Sequence, residues 1–349
     1  MFLNLKMKKI ITSTVFIITV LLTNGQAKSA YTQYVLNNYI LNPAVAGIEN
    51  YTDIKVSTRN QWTGIPGAPI TTYVSINGPI GKSDYRTNAT SFDVPGVNPR
   101  GNQYWDDYEA AADPHHGAGL VISNDRAGYI NRWNITGTYA YHRPLSAKTT
   151  LAAGFNAGVS GINIDVSKAT FSDGQPDLAF ALATGQIRKV TPEFGAGLWV
   201  YSARFFGGIS VLNIIPNKAK FTNADNYGTY YTPNFFATLG YRVALGDDFS
   251  VIPSISGQYW QPQLYGVHGN MKFQYRDRAW VGGSYRYSNF LKGYGGMAGF
   301  YISNTLNASY SYEVATNTRL RSYSGNTHEV MIGITLGNKY GDNCPRNIF

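Results

Sequence analysis

From Thr52 onward the chain alternates apolar and polar residues with a period of two, run after run. Leu306, Ala308, Tyr310, Tyr312 and Val314 share one face against Thr305, Asn307, Ser309, Ser311 and Glu313. Val267, Gly269, Met271, Phe273 and Tyr275 oppose His268, Asn270, Lys272 and Gln274. Ala279, Val281, Gly283, Tyr285 and Tyr287 stand against Ser284, Arg286 and Ser288, and Phe235, Ala237, Leu239, Tyr241 and Val243 against Thr238 and Arg242. Side chains leave a strand alternately on its two faces, so such runs specify strands with one apolar and one polar side. From 52–59 to 328–337 there are about fourteen, each near the ~9–11 residues of a tilted membrane strand.

Two all-β architectures can use such strands. A sandwich in water exposes faces rich in charge. Here charged residues make up 14% of the chain, against about 25% in an ordinary soluble domain. The polar faces are mostly Ser, Thr, Asn, Gly and Gln, which suits a hydrated lumen. Apolar faces end in Tyr139 and Tyr141, Tyr285 and Tyr287, or Tyr310 and Tyr312, as the aromatic girdles of a membrane barrel do. Hydrocarbon also demands that every backbone donor and acceptor be paired, and closure achieves this. The expected fold is all-β: a transmembrane antiparallel β-barrel of outer-membrane type with about 14 strands.

Connection lengths fit that fold. Arg143–Lys148, Tyr201-Ser202-Ala203, Leu245–Asp248 and Arg276-Asp277 are short, as periplasmic turns are, whereas 163–190, 213–233 and 315–326 are long, as outer loops are. Residues 80–114 break the pattern, being long on the side of the short turns, and are read as an insertion with an acidic cluster of Asp106, Asp107, Glu109 and Asp113. Ahead of the strands, Lys6, Lys8 and Lys9 precede the apolar Ile10–Leu22, and Gly25 and Ala27 offer small residues for cleavage, so 1–27 reads as a signal peptide. Residues 28–51 then form an N-terminal segment on the periplasmic side or in the lumen, 52–337 the barrel, and 338–349 a tail. Both barrel termini are expected in the periplasm.

Little in the chain suggests catalysis. No Gly-x-Ser-x-Gly elbow is present, and Cys344 sits in the tail with no adjacent His. The acidic cluster near Asp106 lacks the spacing of a calcium loop. His115 and His116 are neighbours on opposite strand faces, and His142, His268 and His328 have no partner at ligand spacing. Gly154–Gly161 is followed by no helix that could cradle a phosphate. The net charge of +9 is scattered and forms no nucleic-acid-binding run. A non-enzymatic barrel without cofactor or metal is expected. On the lumen side Lys55, Arg59, Arg242, Lys272 and Arg286 would either select anions in a passive pore or pair with Glu193 and Glu313 to hold a plugged barrel together.

The least generic stretch is Tyr34–Pro79. It contains Asn42-Pro43-Ala44 and Ala46-Gly47, then Arg59-Asn60-Gln61-Trp62, Gly64 and Gly67-Ala68-Pro69. Its Asn-Pro and Gly-Ala-Pro segments are turn-forming, so it reads as a lumen plug followed by a rigid hairpin. This stretch resembles the N-terminal signature of the PorP/SprF family of Bacteroidota outer-membrane proteins. Asn124-Asp125 with Gly128, Tyr139-Ala140-Tyr141-His142 and Thr327-His328-Glu329-Val330 fit the same pattern further along. The family-motif positions are thus Asn42, Pro43, Gly47, Arg59, Gln61, Trp62, Gly67, Pro69, Asp125, His328 and Glu329. The resemblance implies a part in type IX secretion and gliding motility. The implied partners are an exported cell-surface adhesin with a C-terminal sorting domain, periplasmic components of the machinery, and outer-membrane lipid. A passive porin or small-solute transporter is the alternative.

Overall fold

The computed structural model describes residues 33–82, 111–165, 186–215, 217–220, 228–246, 249–260, 264–275, 278–289, 292–303, 305–316 and 325–337. The expected signal peptide, most of the 80–114 insertion and the 338–349 tail lie outside the described residues.

Among the described residues seventeen strands follow in chain order: β1 (Thr52–Asn60), β2 (Ile70–Ile80), β3 (His115–Ala127), β4 (Ile130–Ser146), β5 (Thr149–Asp165), β6 (Gln186–Tyr201), β7 (Phe205–Leu212), β8 (Asn217–Lys220), β9 (Gly228–Tyr231), β10 (Asn234–Tyr241), β11 (Val243–Leu245), β12 (Phe249–Trp260), β13 (Leu264–Tyr275), β14 (Ala279–Ser288), β15 (Lys292–Tyr301), β16 (Leu306–Ala315) and β17 (Thr327–Leu336). β8 and β9 pair only with each other, as a hairpin inside the connection from β7 to β10. β11 continues β10 along β12 in unbroken register, Gly240 opposite Ser254 and Val243 opposite Val251. Between them Tyr241 faces Pro253, which has no N–H to give, and the ladder lapses at Arg242. Counting β10 and β11 as one, fourteen antiparallel strands close on themselves where β1 pairs with β17.

The repeated alternation thus marks the wall. β10 reads buried and exposed in strict turn, with Phe235, Ala237, Leu239 and Tyr241 outward. Outward residues such as Leu239 and Ile209 are about 60% exposed, which in water would be an apolar surface of unusual extent and in a bilayer is the lipid-facing belt. Aromatics border it at both ends: Tyr141, Tyr241, Phe249 and Tyr275 toward the end carrying Thr52 and Leu336 (the near end), Tyr259, Tyr265, Tyr287 and Tyr312 toward the other (the far end). β3 to β6 run to between 13 and 17 residues, longer than expected.

Beside its polar residues the inside also carries apolar side chains. Tyr73, Trp199, Phe206, Phe236, Trp280, Met297 and Met331 also point inward and are buried. They pack against Tyr34, Val35, Leu36, Tyr39, Ala44 and Val45, the apolar residues of the N-terminal segment. The barrel's core is therefore its own lumen.

Candidate functional site

Gln33 to Tyr51 occupy the lumen. The segment is folded by its own sequence into three short 3-10 turns, Tyr34–Leu36, Asn38–Ile40 and Pro43–Val45. Asn42 caps the last: its Oδ1 accepts from the Ala44 N–H at 2.9 Å, and Pro43 takes the first position, where a missing N–H costs nothing. The free Asn42 amide then donates to the Leu198 and Ile209 carbonyls at 3.0 and 3.1 Å, tying the turn to β6 and β7 together. Only an amide can do both jobs, because the cap needs an acceptor and the wall needs a donor.

Around the circumference the same segment is held by side chains of distant strands. Tyr34 bonds Ser254, Asn37 donates to Ser75 and Tyr39 to Thr138, at 3.1, 2.9 and 3.0 Å. Gln33 donates to the Glu329 carbonyl and accepts from Ser309, and Ser210 donates to the Leu41 carbonyl. Burial pushes the Tyr34 and Tyr39 phenols up to about 12, against the smaller opposing pull of their hydroxyl partners. Toward the near end, His142 and His115 donate from Nε2 to the Ala46 and Gly47 carbonyls at 2.8 and 3.1 Å, their rings stacked with centroids 4.4 Å apart. Gly47 has φ +79°, and Asn77 accepts from its N–H.

The wall is shaped to receive this backbone. At Gly117 on β3 a Cβ would stand 1.8 Å from the Ala46 carbonyl oxygen, and at Gly154 on β5 within 2.6 Å of Ala44. Side chains at either position would hold the segment off the wall.

Toward the far end lies a second feature, a chain of buried charges. Arg59, second from last in β1, faces Glu329 in the β1–β17 register. Its Nη1 meets Glu329 at 3.1 Å and its Nη2 meets Glu313 at 3.1 Å, while the other oxygen of Glu313 takes Arg286 at 3.1 Å. Arg286 stands on β14 and Glu313 on β16, with β15 between them. Gly293 and Gly295 are the inward positions of β15 there, and their lack of side chains clears the path. Two cations and two carboxylates share the cluster, which satisfies the requirement that buried charges be paired.

Of the motif residues, the structure brings Asn42, Pro43 and Gly47 together in the plug and Arg59 with Glu329 in the charged chain. The others lie at the far rim. Gln61 donates its N–H to the Pro69 carbonyl at 2.9 Å, closing the β1–β2 turn. Trp62 and Gly67 both have left-handed backbones, at φ 53° and 74°, and the Gly67 carbonyl accepts from Gly128 in the β3–β4 turn. Asp125 accepts from Thr71 across β2 and β3. His328 points outward to Tyr310 and Tyr312, on the face opposite Glu329.

Several expectations for the lumen charges change. Lys55 pairs with Asp53 of its own strand, because residues two apart share a face. Glu193 accepts from Asn134. Arg242 is half-buried at the lapse between β10 and β11, where its N–H turns to the Arg204 carbonyl. Sequence reasoning missed the His115–His142 pair and the Gly117 and Gly154 seats. The pair was findable only from the β3–β4 register, which sets the two histidines opposite each other. Among the described residues no three His, Cys, Asp or Glu are grouped to hold a metal.

The model of one protein family, described as "Type IX secretion system membrane protein PorP/SprF", matches residues 23–334. No curated protein matches the chain. Among solved structures, the chain is similar to the outer membrane protein Omp33 of Acinetobacter baumannii, with 9% identity over 83% of this chain and 100% of that one and a TM-score of 0.45. It is also similar to the toluene transporters TodX of Pseudomonas putida and TbuX of Ralstonia pickettii. Identities are 10% and 12%, each alignment covers 90% of this chain and 95% of the other, and TM-scores are 0.43 and 0.42.

Proposed function

Since the chain belongs to the PorP/SprF family of type IX secretion system membrane proteins, we propose that it serves that system as a sealed outer-membrane anchor rather than as a pore. The far-end loops dock an exported adhesin through its C-terminal sorting domain, and the near end, with both barrel termini, faces the periplasm and the rest of the machinery. One observation carries the choice of anchor over porin. The segment from Gln33 to Tyr51 crosses the lumen, is almost wholly buried there, and is bonded to strands on every side. Such a lumen suits a rigid support and leaves no obvious path for solute. The work is binding, and no described constellation pairs a nucleophile with a base.

Affinity purification from native membranes tests the reading. An exported surface protein bearing a sorting domain, together with periplasmic secretion components, is expected to come with the barrel, and planar bilayers should show no steady conductance. A barrel that purifies alone and conducts steadily would sink the proposal. Orientation is tested separately by maleimide labelling of intact cells: Thr316→Cys at the far end is expected to react and Ser146→Cys at the near end to stay protected.

A further inference from the structure

Two buried histidines hold the end of the plug, and they need different numbers of protons to do it. His115 heads β3, His142 faces it in the β3–β4 register, and both rings are buried. The His115 ring has a carbonyl oxygen at each nitrogen, that of Gly47 at 3.1 Å from Nε2 and that of Asp113 at 2.6 Å from Nδ1. A carbonyl has no proton to give, so both bonds draw on the ring, and only an imidazolium carries two N–H groups. His142 is placed differently. Its Nε2 donates to the Ala46 carbonyl, but its Nδ1 meets the Tyr201 hydroxyl at 3.1 Å, and a hydroxyl can donate. One ring proton suffices there.

The stacking of the two rings agrees with this count. Their centroids are 4.4 Å apart and their planes 6° from parallel. Two imidazoliums face to face at that separation would repel each other, whereas a charged ring on a neutral one does not. Among the described residues, the ionisable groups close by are Asp113 before β3, Glu49 in the plug, Lys82 after β2 and Tyr201 on β6. Lys82 donates to the Ile48 carbonyl, next to Gly47. His116 and Arg143, the sequence neighbours of the pair, are exposed on the outward face. Two carboxylates against one ammonium leave a place for one further cation.

We propose that His115 is that cation and that its second proton latches the plug to the wall. When the proton leaves, one ring nitrogen turns a lone pair toward a carbonyl oxygen. The Asp113 contact is the shorter and lies two residues away, so the Gly47 carbonyl is the one released. His142 keeps Ala46, and the chain from Gly47 to Tyr51 loosens beyond it. The latch is closed while His115 holds both protons and opens as pH rises through its titration. This rests on the plug and the wall alone, whatever docks at the far end.

The test has two readouts on the full-length barrel in nanodiscs. In nitrogen NMR with labelled histidine, His115, assigned through its own backbone, is expected to show two protonated ring nitrogens at neutral pH and His142 one. A spin label at Asn50→Cys is then expected to gain mobility as pH rises, with the midpoint at which His115 loses its proton. Adding His115→Gln, which cannot titrate, should abolish that step. Tyr34 and Tyr39, held up to about 12, ionise too late to produce it. A single protonated nitrogen on His115 at neutral pH would overturn the assignment, and so would a mobility step that survives His115→Gln. A label that stays immobile while His115 titrates would show that the proton is no latch.

Discussion

Gly117 of β3 and Ala46 of the plug approach so closely that only hydrogen fits between them: a Cβ at 117 would lie 1.8 Å from the Ala46 carbonyl oxygen. The obstruction is backbone, so it cannot be relieved by rotating a side chain. The Ala46 carbonyl is also the acceptor for His142, which pins it in place.

Gly117→Ala is therefore expected to displace the plug while leaving the strand register intact. Overpacking of this kind costs about 1–3 kcal/mol, borne by the plug–wall contacts. Limited proteolysis of the detergent-folded barrel should cut near residues 44–50 in the variant and spare the parent. Equal resistance in both would mean that the wall yields instead.

The Arg59 cluster predicts that a second change rescues the first. Arg59→Met leaves Glu329 buried without its arginine and is expected to destabilise by about 3–5 kcal/mol and to lower barrel assembly. Arg59→Met with Glu329→Met removes both charges and should recover most of that loss, since Glu313 keeps Arg286. Thermal unfolding followed by the gel shift of heat-modifiable barrels reads both. Normal assembly of the single variant with loss of a partner would show that Arg59 serves binding instead.

Asn42 separates its two roles by substitution. Asn42→Ala loses the cap, about 1 kcal/mol, and the bonds to Leu198 and Ile209. Asn42→Asp keeps the cap acceptor but turns a carboxylate toward those two carbonyls, and is expected to be worse than alanine. If aspartate is the milder change in the same unfolding assay, the cap is the main contribution.

Alkaline pH should loosen the plug. Tyr34 and Tyr39 rise from 10 to about 12 on folding because burial disfavours their phenolates. A pKa raised in the folded state gives stability that is complete below about pH 10 and is lost as pH climbs toward 12. Absorbance titration of the folded barrel should show phenols ionising late that Tyr34→Phe with Tyr39→Phe removes.

Where the strands lie was legible because bilayer and lumen impose opposite chemistries on alternate residues, fourteen times over. How far β3 to β6 extend was not. At Gln186–Lys189 the chain has left the alternation, so the pattern stops before the hydrogen bonding does. Trp199, Phe206 and Trp280 escaped because alternation marks the inward positions as polar and does not say which of them meet the apolar residues of Tyr34–Val45. The pairing of Arg59 with Glu313 was within reach of charge reasoning. Glu329 as its direct cross-strand partner was not, because closure sets the first strand beside the last without fixing the register between them. The Gly117 and Gly154 seats follow from a backbone more than seventy residues away in sequence.

That adjacency also bears on how the molecule is made. Arg59 and Glu329 are 270 residues apart, and one stands in the first strand, the other in the last. Until the final strand is in hand, Arg59 and the Glu313 beside it hold a cluster lacking its fourth charge. The completed ring is the first state in which all four are neutralised, so the ion pair works as a clasp that a truncated or mis-registered chain has no means to fasten.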